Sequence, residues 1–281
     1  MFHGPTIFAA GQVSSSSHWF IVPASEAFRK RRRQTVVPAA RDASTAYNAD
    51  MCARYTLRNT PIHFFQRWLG AGVESWQPRY NIAPSQDVVI LGCANPAGDP
   101  EWMTARWGLS PGGNRGTATK MLQINARAET VHKKLSFRES FRWRRCVVPA
   151  DGYYEWIKSG GGRQPYFVTL QDDSVFGFAG IWDSGEPSQR NSLRSCAIIT
   201  SEANALTQRI HARMPVILRP SAVAHWLDQS IEQAEELLPL LTPFSDVGMT
   251  LGPVSRYVNH VAHEGPACVQ PVDRRIQGRL F

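Results

Sequence analysis

The sequence has little cysteine, and the spacing of its cysteines predicts neither a metal site nor a disulfide framework. The 281-residue chain contains five cysteines, an odd number, and none of them forms a Cys-x-x-Cys pair. This spacing argues against a zinc site and against a secreted, disulfide-stabilised protein. We therefore expect no metal, and a cytoplasmic protein whose thiols stay reduced.

Long apolar runs and phosphate-binding loops are also missing. No stretch of about 18 consecutive apolar residues occurs, so the sequence predicts no membrane-spanning helix. No strand-helix-strand repeat and no Gly-rich phosphate loop are visible, so we expect no cofactor. With 43% hydrophobic residues, the chain can bury one substantial core without a disulfide or a metal.

Acidic residues are outnumbered, although the excess of basic charge is unevenly placed. The formal net charge is +8, which favours a polyanionic partner. Residues 1 to 50 contain six Lys and Arg against three Asp and Glu, which leaves 25 against 20 in residues 51 to 281. The main part of the chain is therefore only mildly basic, and nucleic-acid binding there must depend on a local patch.

From Met51 onward the pattern is one of short apolar strands separated by Gly, Pro, Asn and Asp turns, together with some helical stretches. Candidate strands are short and rich in β-branched and aromatic residues, and they run from Asp87 to Cys93, Cys146 to Pro149, Tyr166 to Leu170, Val175 to Trp182 and Ser195 to Thr200. Candidate helices run from Thr60 to Leu69, Phe137 to Trp143, Glu202 to Arg209, Ser221 to Leu227 and Ile231 to Leu241. The pattern predicts a single α+β domain with a curved, mostly antiparallel sheet or open barrel and flanking helices.

A Met-Cys pair at positions 51 and 52 carries distinctive chemistry. If the mature chain begins at Cys52, this residue has a free α-amine beside its thiol. The amine condenses with an aldehyde to a Schiff base, and the thiolate then closes a five-membered thiazolidine ring. With an upstream leader still attached, the Cys52 nitrogen is an amide and forms no imine, so only thiol chemistry is left.

Further short motifs follow in order along residues 51 to 272. They include Met51-Cys52-Ala53-Arg54, Arg79 to Pro84, Trp107-Gly108-Leu109, Asn125 to Thr130, Cys146 to Gly152, Glu155-Trp156, Ile198-Ile199-Thr200, His211 to Leu218 and Pro253-Val254-Ser255. Together these segments resemble the SOS response-associated peptidase (SRAP) family, whose members crosslink to abasic sites in single-stranded DNA. The resemblance implies an SRAP-like domain over residues 51 to 272, with a C-terminal tail over 273 to 281.

Residues 1 to 50 differ from the rest, with a serine run from Ser14 to Ser17 and a basic run from Arg29 to Arg33. A nucleic-acid-binding arm, an organelle transit segment, a leader and a disordered basic tail all fit this composition. A start codon assigned too far upstream also fits. We favour this last interpretation, because Met51 lies where the family's initiator would be.

The resemblance implies four catalytic residues, Cys52, Asn125, Glu155 and His211. Glu155 follows two tyrosines and precedes a tryptophan, and partial desolvation there would raise its pKa and let it shuttle protons. His211 would protonate the sugar ring oxygen as the abasic site opens to its aldehyde. Each has an ordinary structural alternative, namely an exposed strand carboxylate for Glu155 and a core or turn hydrogen bond for His211.

DNA binding is assigned to a further set of residues, namely Arg54, Asn81, Trp107, Arg127 and Arg213. Arginine binds phosphate through two parallel hydrogen bonds. Trp107 can stack on an exposed base, and the alternative for this residue is an ordinary position in the core. Three departures from the family pattern weaken the expectation. They are Ala53 in place of Gly, Ala212 in place of Asp after the histidine, and Gly112-Gly113 where the family has an aromatic residue.

The implied function is that of a DNA-damage sensor involved in the SOS response. Cys52 would form a covalent DNA-protein linkage with abasic sites in single-stranded DNA or at junctions with duplex, with abasic lyase activity as a side reaction. We expect a monomer associated with the nucleoid and not with a membrane. The alternative is a cysteine protease, a hydrolase that uses Cys52 as a thiol nucleophile and possesses autoproteolytic activity.

Overall fold

Strands make up most of the described fold. The structure is a computed structural model, and it describes residues 53–60, 77–95, 98–110, 122–159, 162–184 and 194–272. Cys52, Gly112-Gly113 and the segments 1 to 50 and 273 to 281 lie outside the described residues. So does the predicted helix from Thr60 to Leu69, except for Thr60 itself.

The first sheet is entirely antiparallel and has five strands. In spatial order they are β13 (Met249–Pro253), β8 (Gly162–Leu170), β7 (Gly152–Ser159), β1 (Tyr55–Leu57) and β2 (Arg79–Ile82). β1 therefore lies between β2 and β7, and the chain enters β1 from residue 53.

The second sheet closes on itself. Its strands are β11 (Arg213–Pro215), β10 (Ser195–Glu202), β4 (Glu101–Trp107), β3 (Asp87–Gly92), β6 (Arg145–Ala150), β9 (Phe176–Asp183) and β12 (Ile217–Leu218), with β5 (Asn125–Arg127) beside β10. β10 pairs with β4 on one side and with β9 on the other, which joins the two ends of the path β4-β3-β6-β9 into a barrel. The parallel pairings among the described strands are those of β10 with β4 and β5.

Both faces of the second sheet are covered by apolar side chains. One cluster, which includes Tyr55, Tyr153 and Ile198, contains residues of both sheets and therefore lies between them. A second cluster packs the opposite face of the second sheet against the helices, through residues such as Trp226. Strand β6 is buried at every position, as expected for a strand covered on both faces.

Trp107 belongs to the core between the sheets and not to a DNA-binding surface. Its side chain is fully buried, and its Nε1 donates to the carbonyl oxygen of Ile124 at 2.9 Å. Its ring meets that of Tyr55 edge to face, with centroids 5.3 Å apart. This burial agrees with the core position that is the alternative to stacking on an exposed base.

The helices are short. They are α1 (Arg138–Trp143), α2 (Pro220–Leu227) and α3 (Ala234–Leu237), and α3 is followed by a 3₁₀ turn over Leu238–Leu240. The first two confirm predicted helices, whereas the predicted helix from Ile231 to Leu241 shrinks to α3 and its turn. Every helix in the described part of the chain falls short of the length and apolar content needed to span a bilayer.

The predicted helix from Glu202 to Arg209 is wrong. β10 continues to Glu202, which pairs with Arg213 of β11. Only Thr207–Arg209 coils, as a 3₁₀ turn. The side-chain oxygen of Asn204 accepts from both the backbone N–H and the hydroxyl of Thr207, each at 2.9 Å, and this local hydrogen bonding favours a turn over a helix.

The predicted fold class is confirmed, since the described residues form a mostly antiparallel α+β structure with few helices. The five predicted strands correspond to β3, β6, β8, β9 and β10. The structure adds a second sheet and the parallel pairings of β10, which depend on contacts between distant segments.

Candidate functional site

The start of β1 faces a buried carboxyl group on β7. Tyr55 pairs with Tyr153 and Thr56 with Gly152, and the backbone N–H of Tyr154 donates to the carbonyl of Arg54 at 3.0 Å. β1 begins at Tyr55, and this bond carries its contact with β7 one residue further, to the position next to Glu155. The chain immediately after Cys52 therefore runs beside Glu155.

Glu155 is only 6% exposed. Side chains alternate along a strand, so Glu155 lies on the same face of β7 as Tyr153, a member of the core cluster between the sheets. Its predicted placement among aromatic residues agrees with this burial, whereas the alternative of an exposed strand carboxylate does not.

Asn125 and Arg127 approach the same space between the sheets from the second sheet. On β5, Asn125 pairs with Ile198 and Arg127 with Thr200. Ile198 belongs to the cluster between the sheets, so these alternate positions face the first sheet. Asn125 is buried, whereas Arg127 is exposed.

His211 is oriented by the backbone of the strand that follows it. The backbone N–H of Arg213 donates to Nδ1 of His211 at 3.0 Å. The same Nδ1 also lies 3.1 Å from the carbonyl oxygen of Arg213. These two backbone contacts hold the half-buried imidazole through Nδ1, at a position followed by Ala212 where the family pattern has Asp.

Arg213 is held by a carboxylate that the sequence prediction missed. Its guanidinium donates to both oxygens of Glu129, at 2.6 and 3.0 Å, and also to the carbonyl of Thr200. The hydrogen bond from Arg213 lowers the pKa of Glu129. Glu129 lies two residues after Arg127, in the same motif. This position in the motif was the one signal in the sequence that Glu129 contacts a site residue.

Two residues predicted to bind DNA make contacts within the protein. Asn81 is 1% exposed, and its amide nitrogen donates to the carbonyls of Val258, His260 and His263 at 2.8 to 3.3 Å. The Nη1 atom of Arg54 donates to Asn81 Oδ1 and to the Val258 carbonyl. Burial and these contacts occupy the side chain of Asn81 in this conformation.

Asp151 anchors the far end of β1. Its buried carboxylate accepts from the hydroxyl of Thr56 at 2.6 Å, from the backbone N–H groups of Arg58 and Asn59, and from Nε of Arg58 at 3.1 Å. The residue lies within a recognised motif, but its role was not predicted. These bonds fix the strand that follows Arg54 and pairs with β7.

Comparison with known proteins shows the family of this chain. The SOS response associated peptidase (SRAP) family matches residues 51–261. The abasic site processing protein YoqW of Bacillus subtilis (strain 168) is 32% identical over 226 residues, which cover 78% of this chain and 99% of that protein. The abasic site processing protein HMCES of Gallus gallus is 32% identical over 236 residues, which cover 73% of this chain and 69% of HMCES.

A crystal structure of a protein from Bacteroides thetaiotaomicron has a similar fold. Its TM-score is 0.68 at 28% sequence identity, and the match covers 79% of this chain and all of that one. The match to the family extends over most of the sequence and includes every described residue of the candidate site. The chain therefore belongs to the SOS response-associated peptidase family.

Proposed function

We propose that this protein senses abasic sites in single-stranded DNA and forms a covalent crosslink to them through Cys52. The observation that carries the proposal is the contact of β1 with β7, in which the backbone N–H of Tyr154, next to the buried Glu155, donates to the carbonyl of Arg54, two residues after Cys52. Abasic-site processing is also the activity in the names of the relatives YoqW and HMCES.

In this proposal the α-amine of Cys52 attacks the C1′ aldehyde of the ring-opened abasic sugar and gives a carbinolamine. Glu155 donates a proton as water leaves, which yields an imine. The Cys52 sulfur then adds to the imine carbon while the nitrogen takes up a proton. One aldehyde and one aminothiol thereby become one thiazolidine and one water.

The surrounding residues supply proton transfer and phosphate binding. His211, with Nε2 directed away from its own backbone contact, protonates the sugar oxygen as the ring opens. Asn125 orients the amine or a sugar oxygen, while Arg127 and the partly buried Arg213 bind phosphates. If the imine fails to close, β-elimination cleaves the DNA strand, which gives the lyase side reaction.

The test compares two forms of the chain, one beginning at Cys52 and one retaining residues 1 to 50. Each is incubated with single-stranded DNA containing one abasic site and analysed on a denaturing gel. Only the form with a free amine should give a stable adduct. A stable adduct with protein shown by mass spectrometry to retain Met1 would contradict attack by the amine.

Two substitutions separate the chemical steps. Cys52→Ser keeps the amine but weakens ring closure, so it should give a labile adduct that borohydride traps and more strand cleavage. Glu155→Gln keeps shape but transfers no proton, so crosslinking at saturating DNA should slow by about 10²-fold. A Glu155→Gln variant that loses only affinity would make Glu155 a binding residue.

The cysteine protease alternative has less support. The relatives with the matches given above are named for abasic-site processing. Because its substrate would be DNA, we also propose that the protein associates with the nucleoid. Incubating the crosslinking form with a casein substrate, beside abasic DNA, measures both activities in one preparation, and we expect only the DNA adduct.

A further inference from the structure

The proposed proton donor His211 lies on the loop that joins β10 to β11. We call residues 203 to 212 the His211 loop. The backbone N–H of Ala203 donates to the carbonyl of Ala212 at 3.0 Å and closes the loop at its base. Its one helical element is a 3₁₀ turn over Thr207–Arg209. A loop with so little regular structure depends on side-chain contacts to keep one shape.

The side chain of Asn204 holds the turn to which His211 is bonded. Oδ1 of Asn204 accepts from the backbone N–H and from the hydroxyl of Thr207, each at 2.9 Å. The carbonyl of Thr207 in turn accepts from the backbone N–H of His211 at 3.1 Å. Thr207 is only 2% exposed, so water is a poor substitute for the Asn204 acceptor. Two consecutive hydrogen-bonded steps therefore lead from the amide of Asn204 to the backbone of His211.

The other end of the same amide is bonded to distant segments of the chain. Nδ2 of Asn204 donates to the carbonyl of Phe244 at 2.8 Å and to Sδ of Met249, the first residue of β13, at 3.3 Å. The backbone N–H of Asn204 donates to Sδ of Met214 in β11 at 3.4 Å. A thioether is a weak acceptor, so the bond to the Phe244 carbonyl is the strongest of the three. Asn204 thereby joins the His211 loop to the first sheet through β13 and to the second sheet through β11.

We propose that Asn204 is a positioning residue for His211. This inference rests on the proposed function for the role of His211 in proton transfer. The Nδ1 contacts with Arg213 orient the imidazole within its own chain segment, but they do not place that segment against the rest of the site. The bonds of Asn204 supply this placement, because they join the His211 loop to both sheets. Proton transfer is sensitive to such placement, since donor and acceptor must come within hydrogen-bond reach.

The experiment compares two measurements, the rate of single-turnover crosslinking at saturating abasic single-stranded DNA and the affinity for DNA with a tetrahydrofuran abasic analogue, which forms no Schiff base. Asn204→Ala should slow crosslinking about tenfold and leave the affinity for the analogue unchanged. Thr207→Val loses the hydroxyl that is bonded to Asn204 and should also slow the reaction. Thr207→Ser keeps a hydroxyl and should react at the wild-type rate.

The matched control is Asn259→Ala. The amide of Asn259 also bridges two segments, since it accepts from Nε1 of Trp156 at 2.8 Å and donates to the carbonyl of Arg163 at 3.0 Å. Trp156 follows Glu155 along β7, so its side chain lies on the opposite face of the first sheet. The control should crosslink at the wild-type rate, and equal slowing in Asn204→Ala and Asn259→Ala would contradict a specific link to His211.

A double-mutant comparison separates positioning from a general loss of stability. In a His211→Ala background there is no imidazole to place, so adding Asn204→Ala should slow crosslinking no further. The same slowing in both backgrounds would overturn the proposal, because Asn204 would then act through other residues.

Hydrogen exchange tests the positioning without DNA. Asn204→Ala should speed exchange of the backbone amide of His211 about tenfold more than exchange of the amides of β6, since the His211 loop opens locally. An equal change at both places, or none at His211, would overturn the proposal. Crosslinking is scored separately with true abasic DNA. If the wild-type protein gives no adduct while exchange at His211 responds to Asn204→Ala, the proposed chemistry is refuted and the placement of His211 by Asn204 stands.

Discussion

Replacing the buried carboxylate of Asp151 with an amide should destabilise the protein through the strand that leads to the proposed site. One oxygen accepts from Thr56 Oγ1 and from Arg58 Nε, and the other accepts from the backbone N–H groups of Arg58 and Asn59. The side chain is fully buried. Asp151→Asn keeps the shape but removes the charge and replaces one acceptor by an NH₂ donor.

Neither orientation of the new amide satisfies all the donors. If its NH₂ faces the backbone, the N–H groups of Arg58 and Asn59 both lose an acceptor. If it faces the other way, the hydroxyl of Thr56 can turn to accept, but the Arg58 guanidinium loses its contact. An unsatisfied buried group costs about 1–3 kcal/mol, and the charge-assisted bond to Arg58 is among the stronger ones. We therefore expect a loss of about 2–4 kcal/mol in the free energy of unfolding.

The assay is urea denaturation followed by tryptophan fluorescence, with Asp173→Asn as the matched control. Asp173 also bonds to Arg58, but its side chain is 54% exposed. Its φ of 54° is one that Asn adopts readily, so the backbone is not strained. The control should lose less than about 1 kcal/mol, the usual contribution of an exposed ion pair. Equal losses in the two variants would refute the argument that burial sets the cost.

Strands that are buried on both faces could be predicted from the sequence. β6 and β9 are buried at all positions, so each appears in the sequence as a continuous apolar and aromatic run. By contrast β1, β5, β11 and β12 have two or three residues each, too few to show any periodicity. The strand ending at Glu202 was mistaken for the start of a helix because its pairing with β11 is a long-range contact.

The residues of the candidate site come from motifs, whereas their contacts could not be predicted from the sequence. The burial of Glu155 followed from its aromatic sequence neighbours. The bond between Glu129 and Arg213 joins residues 84 positions apart, and no local spacing encodes it. Asn81 lies in a matched motif, yet it serves a chain segment about 180 residues away. A motif identifies a residue that the fold needs, and only the tertiary structure shows whether the need is chemical or structural.

Three further substitutions test separate parts of the structure. Arg145→Met leaves four backbone carbonyls without their buried guanidinium donor. We expect the free energy of unfolding, measured by urea denaturation, to fall by about 2–4 kcal/mol. An unchanged denaturation midpoint would contradict this expectation. Gly152→Ala brings a Cβ within 2.2 Å of the Phe167 ring, so we expect a lower thermal midpoint and a loss of about 1–3 kcal/mol. Glu129→Gln removes a negative charge beside Arg213, which stays held by a carbonyl of β10. A phosphate about 6 Å from that charge is repelled by about 0.7 kcal/mol in water, so fluorescence anisotropy should show roughly threefold tighter binding of single-stranded DNA at low salt. The gain should vanish in an Arg213→Gln background, and weaker binding by Glu129→Gln alone would show that the carboxylate instead positions the guanidinium for DNA.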